Sequence, residues 1–175
     1  PRQARHALIM KLRIAGIVDD SVVDGEGMRL TVFTQGCPHH CVGCHNPNTH
    51  SFDGGRDADT DDILVQVKAN PLLSGVTFSG GEPFCQPAPL AELAEKLHAH
   101  GLDIWAYTGY TLEELSRMEN PAVTELLQRI DVLVDGKFDL EQRDLTLPFR
   151  GSRNQRVIDM EKTRQTGCIV KKKLD

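Results

Sequence analysis

The fold is decided by the stretch Met28-Arg-Leu-Thr-Val-Phe-Thr34-Gln-Gly-Cys37-Pro-His-His-Cys41-Val-Gly-Cys44. Its first half, Met28–Thr34, is typical of a buried β-strand, and Gln35-Gly36 ends it. Three cysteines follow at intervals of four and three residues, so they lie on a loop at the carboxyl end of that strand. Parallel α/β folds carry their chemistry at this edge of the sheet. The stretch therefore predicts an α/β domain with a thiolate site at the end of a strand.

The cysteine spacing favours an iron–sulfur cluster. Thiolates spaced as Cys37, Cys41 and Cys44 can hold three corners of a four-iron, four-sulfur cluster and leave the fourth iron open for a small molecule. The other two cysteines, Cys85 and Cys168, lie far from this loop and are interpreted as ordinary buried or peripheral residues. Five cysteines are an odd number, which argues against a disulfide framework.

A zinc-binding interaction module is the alternative from a different class of protein. A structural zinc site usually pairs two knuckles, and no second Cys-x-x-Cys or His-x-x-x-His follows in the sequence. Histidines in or beside the loop offer a fourth ligand, but His45 adjoins Cys44, and two adjacent ligands strain a tetrahedral shell. Redox-active thiols are the remaining alternative.

Composition predicts one domain without a nucleic-acid or membrane partner. The chain has 175 residues, enough for a core of its own, and its net charge of −5 argues against general nucleic-acid binding. No apolar stretch approaches the ~20 residues that a membrane-spanning helix needs, so a cytoplasmic protein is expected. Residues 1–175 are assigned to a single domain with a core of about residues 18–158 and a flexible tail over residues 160–175.

Alternating strands and helices predict a parallel sheet. Runs of aliphatic and β-branched residues predict strands at residues 75–79, 103–107, 131–135 and 155–159. Apolar residues at helical spacing predict helices from Thr60, over residues 90–97, from Thr111 and after Pro121. Residues 11–18 are expected to add an edge strand. Because a complete eight-fold barrel usually needs ~250 residues, the predicted fold is a partial, open (β/α) barrel.

Polar or glycine-rich residues follow each predicted strand. The Gly80-Gly81 pair permits a close approach of the backbone to a ligand, and Glu82 offers a carboxylate to an ammonium group. Asp135 and Lys137 are interpreted as a charged clamp for a zwitterion. The alternatives are a tight structural turn for the glycines and a surface ion pair for the two charged residues.

These motifs resemble the radical S-adenosylmethionine superfamily, through the three cysteines followed one strand later by Gly80-Gly81-Glu82-Pro83. Other segments resemble, more narrowly, the glycyl-radical enzyme activases: Val23–Arg29, Gln35–Cys37 and Cys44–Asn46. Further segments resemble those activases whose partner is anaerobic ribonucleoside-triphosphate reductase: Trp105–Tyr110, Val132–Phe138 and Arg150–Arg156. The resemblance runs over about residues 18–158.

The resemblance implies a fold of the radical S-adenosylmethionine type and two cofactors, a 4Fe-4S cluster on the three cysteines and S-adenosylmethionine. In such enzymes the methionine amino and carboxylate groups bind the open iron. Reductive cleavage then gives a 5′-deoxyadenosyl radical, which takes hydrogen from a glycine of the reductase. The resemblance also implies a flavodoxin-like electron donor and no catalytic residue beyond the cluster and cofactor ligands. Alternatives within enzymes are an activase of the pyruvate formate-lyase type or a small-substrate radical enzyme such as a deazaguanine synthase.

Site residues are carried over position by position. Those expected to bind S-adenosylmethionine are Gly43, His45, Gly80, Gly81, Glu82, Thr108, Asp135 and Lys137. Those expected to bind the reductase are Asp24, Gly25, Gly27, Arg29, Arg150 and Arg153. Two positions depart from the family's pattern. Gly43 stands where an aromatic residue often stacks on adenine, so that contact is assigned to His45, and Glu26 stands where activases often have proline.

Overall fold

One seven-stranded sheet organises the computed structural model, which describes residues 10–174. The strand order across the sheet is β3-β1-β2-β4-β5-β6-β7. The strands are β1 Lys11–Ser21, β2 Arg29–Thr34, β3 Arg56–Asp59, β4 Gly75–Gly80, β5 Asp103–Tyr107, β6 Val132–Asp135 and β7 Arg156–Asp159. The four central strands β2, β4, β5 and β6 are parallel. The predicted α/β class and its parallel strands are confirmed, but the sheet as a whole is mixed, because β1, β3 and β7 pair antiparallel.

Five helices connect or follow the strands: α1 Thr60–Lys68, α2 Pro87–His98, α3 Leu112–Arg117, α4 Pro121–Arg129 and α5 Met160–Thr166. Side chains cap free backbone N–H groups at the amino ends of all of these helices except α2, as when Thr111 Oγ1 accepts a hydrogen bond from Glu114 N. Helix α1 begins at Thr60 as predicted, and its cap is Asp59, which accepts from Asp61 N. No helix formed by residues 10–174 is long and apolar enough to cross a bilayer.

The two faces of the sheet are covered differently. Helix α2 presents its apolar stripe to one face, where Leu90, Leu93 and Leu97 are fully buried in the main core. On the opposite face a smaller cluster forms around Trp105, with Phe149 packed edge-on against its ring at a centroid distance of 5.2 Å. Because β2, β4, β5 and β6 are parallel, their carboxyl ends meet at one edge of the sheet beside this second face.

The sequence predicts the amino-terminal strand at the edge of the sheet, but β1 lies second from the edge. Residues Arg56–Asp59 form the outer strand β3, which pairs antiparallel with β1. This strand has only four residues, none of them a large apolar residue, and charged residues are a common protection of an exposed edge. The hydrophobic pattern therefore gave no indication of it.

The strand over residues 155–159 exists as β7, but it runs antiparallel to β6. The intervening residues 136–155 contain one short 3₁₀ turn and no crossover helix. The chain therefore stays at the carboxyl edge and enters β7 from that side, so the strand runs back along β6.

Residues 160–174 do not form the predicted flexible tail. Helix α5 buries Met160 and ends at Gly167, whose φ of 71° is left-handed. Beyond it, Lys171 pairs with Ile158, and Lys172 N donates to Val157 O at 2.8 Å. Ile169 also packs against the main core, and Leu174 packs against the Trp105 cluster. Polar residues separate these apolar contacts along the chain, so the segment has little hydrophobic periodicity in the sequence.

Candidate functional site

A cavity of about 590 Å³ opens at the carboxyl edge of the parallel strands. Six parts of the chain wall it: residues 22–24, the cysteine loop, the Gly80-Gly81 turn, the end of β5 with Thr108, the segment after β6 with Gly136 and Phe138, and the loop over residues 145–155. The cysteine loop, the Gly80-Gly81 turn and the ends of β5 and β6 were predicted from strand ends. The structure therefore brings the predicted loops together around one space.

The cysteine loop is fixed to the protein at its base. Gly36 N donates to Thr49 O at 2.8 Å, and Cys37 N donates to His50 O at 3.0 Å. Cys37 is buried, whereas Cys41 and Cys44 are half-buried, and all three line the cavity. Burial raises the pKa of the Cys37 and Cys41 thiols, so a metal centre that needs thiolates must displace their protons when it binds.

The donor set fits a cluster of iron and sulfide. Three cysteines of one short loop line one cavity and offer soft sulfur donors, while Cys85 and Cys168 are exposed and do not line it. Within residues 10–174, no group of three or more His, Cys, Asp or Glu side chains has the arrangement that holds a single metal ion. The room beside the thiols is shared with the Gly80-Gly81 turn, where a small ligand has access.

Glu82 is fully buried and faces protein rather than the cavity. Its carboxylate accepts four hydrogen bonds, from Phe84 N at 3.0 Å and from three groups at 2.8 Å each: Thr108 Oγ1, Gly109 N and His39 Nε2. His39 belongs to the cysteine loop, and Thr108 follows β5. Glu82 therefore ties the cysteine loop to the neighbouring strand end, and it does not present a free carboxylate to an ammonium group.

The Gly80-Gly81 turn is where the cysteine loop comes closest to the sheet. A Cβ added at Gly81 would lie 2.3 Å from Gly36 O and 3.0 Å from Thr49 O. Gly80 has a φ of 95°, which favours glycine, and a Cβ there would meet the backbone of Phe33 and Thr34. Both glycines line the cavity, so the turn serves the packing of the loop and the wall of the site together.

Asp135 and Lys137 do not form a clamp at the cavity. The buried Asp135 accepts from Leu112 N at 2.8 Å and from Arg156 Nε at 2.9 Å. The guanidinium of Arg156 also pairs with Glu113, and its hydrogen bonds lower the pKa of Glu113 to about 2. Lys137 is exposed and does not line the cavity. Asp135 therefore orders the start of α3 and the start of β7.

An aromatic wall stands beside the third cysteine. His45 and Phe138 lie with their ring centroids 5.1 Å apart, and both line the cavity. Gly151 packs against the pair, since a Cβ there would be 3.0 Å from Phe138 Cδ2. A side chain at Gly43 would meet Leu140 at 3.1 Å and Phe138 at 3.4 Å. Phe138, which sequence reasoning missed as a site residue, therefore occupies the space beside Gly43, and its signal was the Asp-Gly-Lys-Phe motif.

The residues predicted to bind a partner separate into different environments. Arg29 is fully buried, donates to Thr77 Oγ1 at 2.7 Å and pairs with Asp103, so it is a structural residue. Gly25 lies against Arg29 and Trp105, where a Cβ would come within 2.8 Å of both, and Gly27 lies similarly against Ser74. Because Arg29 is enclosed, its assignment to a docking surface is wrong.

Of the remaining residues predicted to bind a partner, some line the cavity and others do not. Asp24 and Arg150 line it, whereas Arg153 is exposed and outside it. Other wall residues were not predicted, among them Tyr107, whose hydroxyl donates to Phe149 O at 2.7 Å. Phe149 has a φ of 59°, an uncommon value for a residue with a side chain.

Known proteins and a known domain family are similar to this chain over most of its length. A family model described as a 4Fe-4S single cluster domain matches residues 23–158. The anaerobic ribonucleoside-triphosphate reductase-activating protein of Haemophilus influenzae is 40% identical over 145 residues, which cover 77% of this chain and 89% of the relative. The chain belongs to the family of these activating proteins. The family's proteins from Vibrio cholerae (41% identity, 77% of this chain and 89% of the relative) and Escherichia coli K12 (38%, 78% and 91%) match to the same extent.

A solved structure also resembles the chain, that of QueE from Escherichia coli, with 15% identity and a TM-score of 0.48 over 72% of this chain and 70% of that one. The family model's description names a 4Fe-4S cluster, which sets the zinc-binding interaction module aside. Membership of the activating-protein family favours the predicted activase of anaerobic ribonucleoside-triphosphate reductase. It disfavours an activase of the pyruvate formate-lyase type and a small-substrate radical enzyme.

Proposed function

We propose that this chain activates anaerobic ribonucleoside-triphosphate reductase by generating a glycyl radical on it, with a 4Fe-4S cluster and S-adenosylmethionine as cofactors. The observation that carries the proposal is one cavity lined by all three loop cysteines and by the Gly80-Gly81 turn. It occurs in a chain whose relatives, about 40% identical, are named as activating proteins of that reductase. The finer fold assignment, an open barrel of the radical S-adenosylmethionine type, is part of the same proposal.

Cys37, Cys41 and Cys44 are the three cluster ligands. When bound, the cluster and S-adenosylmethionine supply, on one-electron reduction, a 5′-deoxyadenosyl radical that takes a hydrogen atom from a glycine of the reductase. The chain's own residues bind, orient and shield. The hydrogen bonds from His39 to Glu82 and from Cys37 N to His50 O hold the cysteine loop in register with the strand ends.

S-adenosylmethionine occupies the cavity beside the cysteines. Gly80, Gly81 and Thr108 wall one side, and the His45–Phe138 pair offers an aromatic surface for adenine on another. Glu82 is a positioning residue in this arrangement, because its four hydrogen bonds are all to protein. Asp135 and Lys137 belong to the structure around the site and do not contact S-adenosylmethionine. Exclusion of water by the apolar wall protects a reactive radical from side reactions.

The reductase approaches the mouth of this cavity, where the apolar side chains Val22, Val23 and Leu145 are exposed. Arg153 is a docking residue beside it, since its side chain is exposed and forms no ion pair within residues 10–174. A separate flavodoxin-like protein delivers the electron.

Removing the charge in Arg153→Gln is expected to weaken activation of the reductase about tenfold, because an interfacial charge contributes to encounter and register. Uncoupled cleavage of S-adenosylmethionine by dithionite should stay at the wild-type rate. Activation and cleavage are measured on the same reconstituted samples. A parallel fall of both would place Arg153 in the fold or the cofactor site.

The experiment for the function is anaerobic reconstitution with iron and sulfide, followed by mixing with S-adenosylmethionine, dithionite and the reductase. Electron paramagnetic resonance should then detect a glycyl radical that depends on every component. In a matched control mixture, pyruvate formate-lyase replaces the reductase. A radical on pyruvate formate-lyase alone would refute the proposed partner, and no radical on either protein would refute activation.

A further inference from the structure

Arg150 lines the cavity and has an unused hydrogen-bonding edge. Its Nη1 donates to Gln155 O at 2.9 Å. Its Nε is buried and has no hydrogen-bond partner within residues 10–174. A buried donor left without an acceptor is destabilising, so such a group is expected to meet its acceptor in a bound state of the protein.

The position of this side chain is set by its neighbours. Gln155 Oε1 accepts from Gly151 N at 2.9 Å and from Ser152 N at 3.2 Å, while its Nε2 donates to Gly136 O at 3.0 Å. Gly136 follows directly on β6 and lines the cavity itself. The backbone that follows Arg150 is therefore tied, through Gln155, to a strand end of the site. A guanidinium held in this way loses little freedom when it binds an anion.

The cavity offers one cation to a ligand. Among the described residues that line it, Arg150 is the one arginine or lysine, and Asp24 is the one carboxylate. Asp24 Oδ2 already accepts hydrogen bonds from Ser21 Oγ and Thr31 Oγ1. Arg29 and Arg156, by contrast, have their charges matched by Asp103 and by Asp135 with Glu113. Arg150 has no such ion pair within residues 10–174, so its charge is available to a ligand.

S-adenosylmethionine carries one anionic group at neutral pH, the carboxylate of its methionine part. A guanidinium binds a carboxylate through two parallel N–H groups, and the Nε edge of Arg150 is the side that remains unpaired. A carboxylate has about four lone-pair positions, so metal ligation of one oxygen leaves acceptors for the arginine.

We propose that Arg150 binds the methionine carboxylate of S-adenosylmethionine, and that it is a cofactor-binding residue rather than the docking residue expected from the sequence. This inference rests on the proposed function. It gives the two arginines of the Arg-Gly-Ser-Arg segment separate roles, Arg150 toward the cofactor and Arg153 toward the partner protein.

The test compares two ligands that differ only in the carboxylate: S-adenosylmethionine and decarboxylated S-adenosylmethionine. Equilibrium binding of both is measured on anaerobically reconstituted wild type, Arg150→Gln, Arg150→Lys and the matched control Arg153→Gln. Arg150→Gln should weaken S-adenosylmethionine about 10- to 100-fold and leave the decarboxylated ligand unchanged. Arg150→Lys should recover part of the loss, and Arg153→Gln should bind both ligands as wild type does. Iron content and circular dichroism establish that each variant is folded and loaded.

Several results would overturn the assignment. Equal binding of S-adenosylmethionine by wild type and Arg150→Gln would refute the role of Arg150 in cofactor binding and leave the proposed function intact. An equal loss for both ligands would show that Arg150 acts by holding the loop. Wild-type binding combined with weakened activation of the reductase would return Arg150 to the docking surface. Failure of the reconstituted wild type to bind S-adenosylmethionine would refute the proposed function itself.

Discussion

Replacing Cys41 with alanine should abolish the cluster, with iron and sulfide falling at least about tenfold after reconstitution, because two thiolates cannot hold the corners that three occupy. The same result is expected for Cys37→Ala and Cys44→Ala, since all three sulfurs face one cavity from one loop. Activation of the reductase should fall below detection in each variant. Iron and sulfide are counted against protein, and the absorption band of the cluster gives an independent measure.

The chain provides its own controls for this loss. Cys85 and Cys168 are exposed and lie outside the cavity, so Cys85→Ala and Cys168→Ala should keep wild-type iron. Partial burial of its thiol, with Glu82 nearby, raises the pKa of Cys85 to about 11, so this sulfur stays protonated at neutral pH. Full iron in Cys41→Ala, or lost iron in Cys168→Ala, would contradict the ligand assignment.

Gly81→Val should disrupt both cofactors together. The new Cβ would stand 2.3 Å from Gly36 O, a backbone atom at the base of the cysteine loop, and backbone cannot move aside as a flexible side chain can. Glu82 N donates to the same Gly36 oxygen at 2.8 Å, so displacing the loop also breaks this hydrogen bond. Overpacking of this kind typically costs about 1–3 kcal/mol in unfolding free energy. We expect a lower midpoint of thermal unfolding, reduced iron and S-adenosylmethionine binding weakened by roughly 100-fold.

A matched glycine separates this steric effect from the general cost of replacing glycine. A Cβ at Gly16 meets no atom within 4 Å, so Gly16→Ala should keep wild-type stability, iron content and cofactor affinity. If Gly81→Val binds S-adenosylmethionine with wild-type affinity, the close packing of the turn against Gly36 does not govern the site.

Sequence reasoning succeeded where burial is continuous along the chain. The strands that form β2, β4, β5 and β6 are runs of buried aliphatic and aromatic residues bounded by glycine or polar residues, a pattern that stands out in one dimension. The pattern gives no sign of β3, whose four residues, three of them charged, owe their conformation to pairing with β1. The cysteine loop and the turn at Gly80-Gly81 were found because strand ends of a parallel sheet meet at one edge.

The charged residues were misread because contacts from distant parts of the chain decide where a charge points. Glu82 is held by His39, 43 residues before it, and by Thr108, 26 residues after it. Arg29 is enclosed by Thr77 and Asp103, 48 and 74 residues away. A motif shows that a carboxylate or a guanidinium is present, but these long-range partners determine whether it faces a ligand or the protein.

Hydrogen transfer from the partner's glycine to the cofactor tests the central claim most directly. Reductase labelled with deuterium at the glycine α-carbon is mixed anaerobically with the reconstituted chain, S-adenosylmethionine and dithionite, and 5′-deoxyadenosine is analysed by mass spectrometry. The account predicts one deuterium in 5′-deoxyadenosine, appearing together with the glycyl radical and absent with Cys41→Ala. A glycyl radical formed with no deuterium in any of the 5′-deoxyadenosine would contradict it, because the radical would then not arise by direct abstraction at this site.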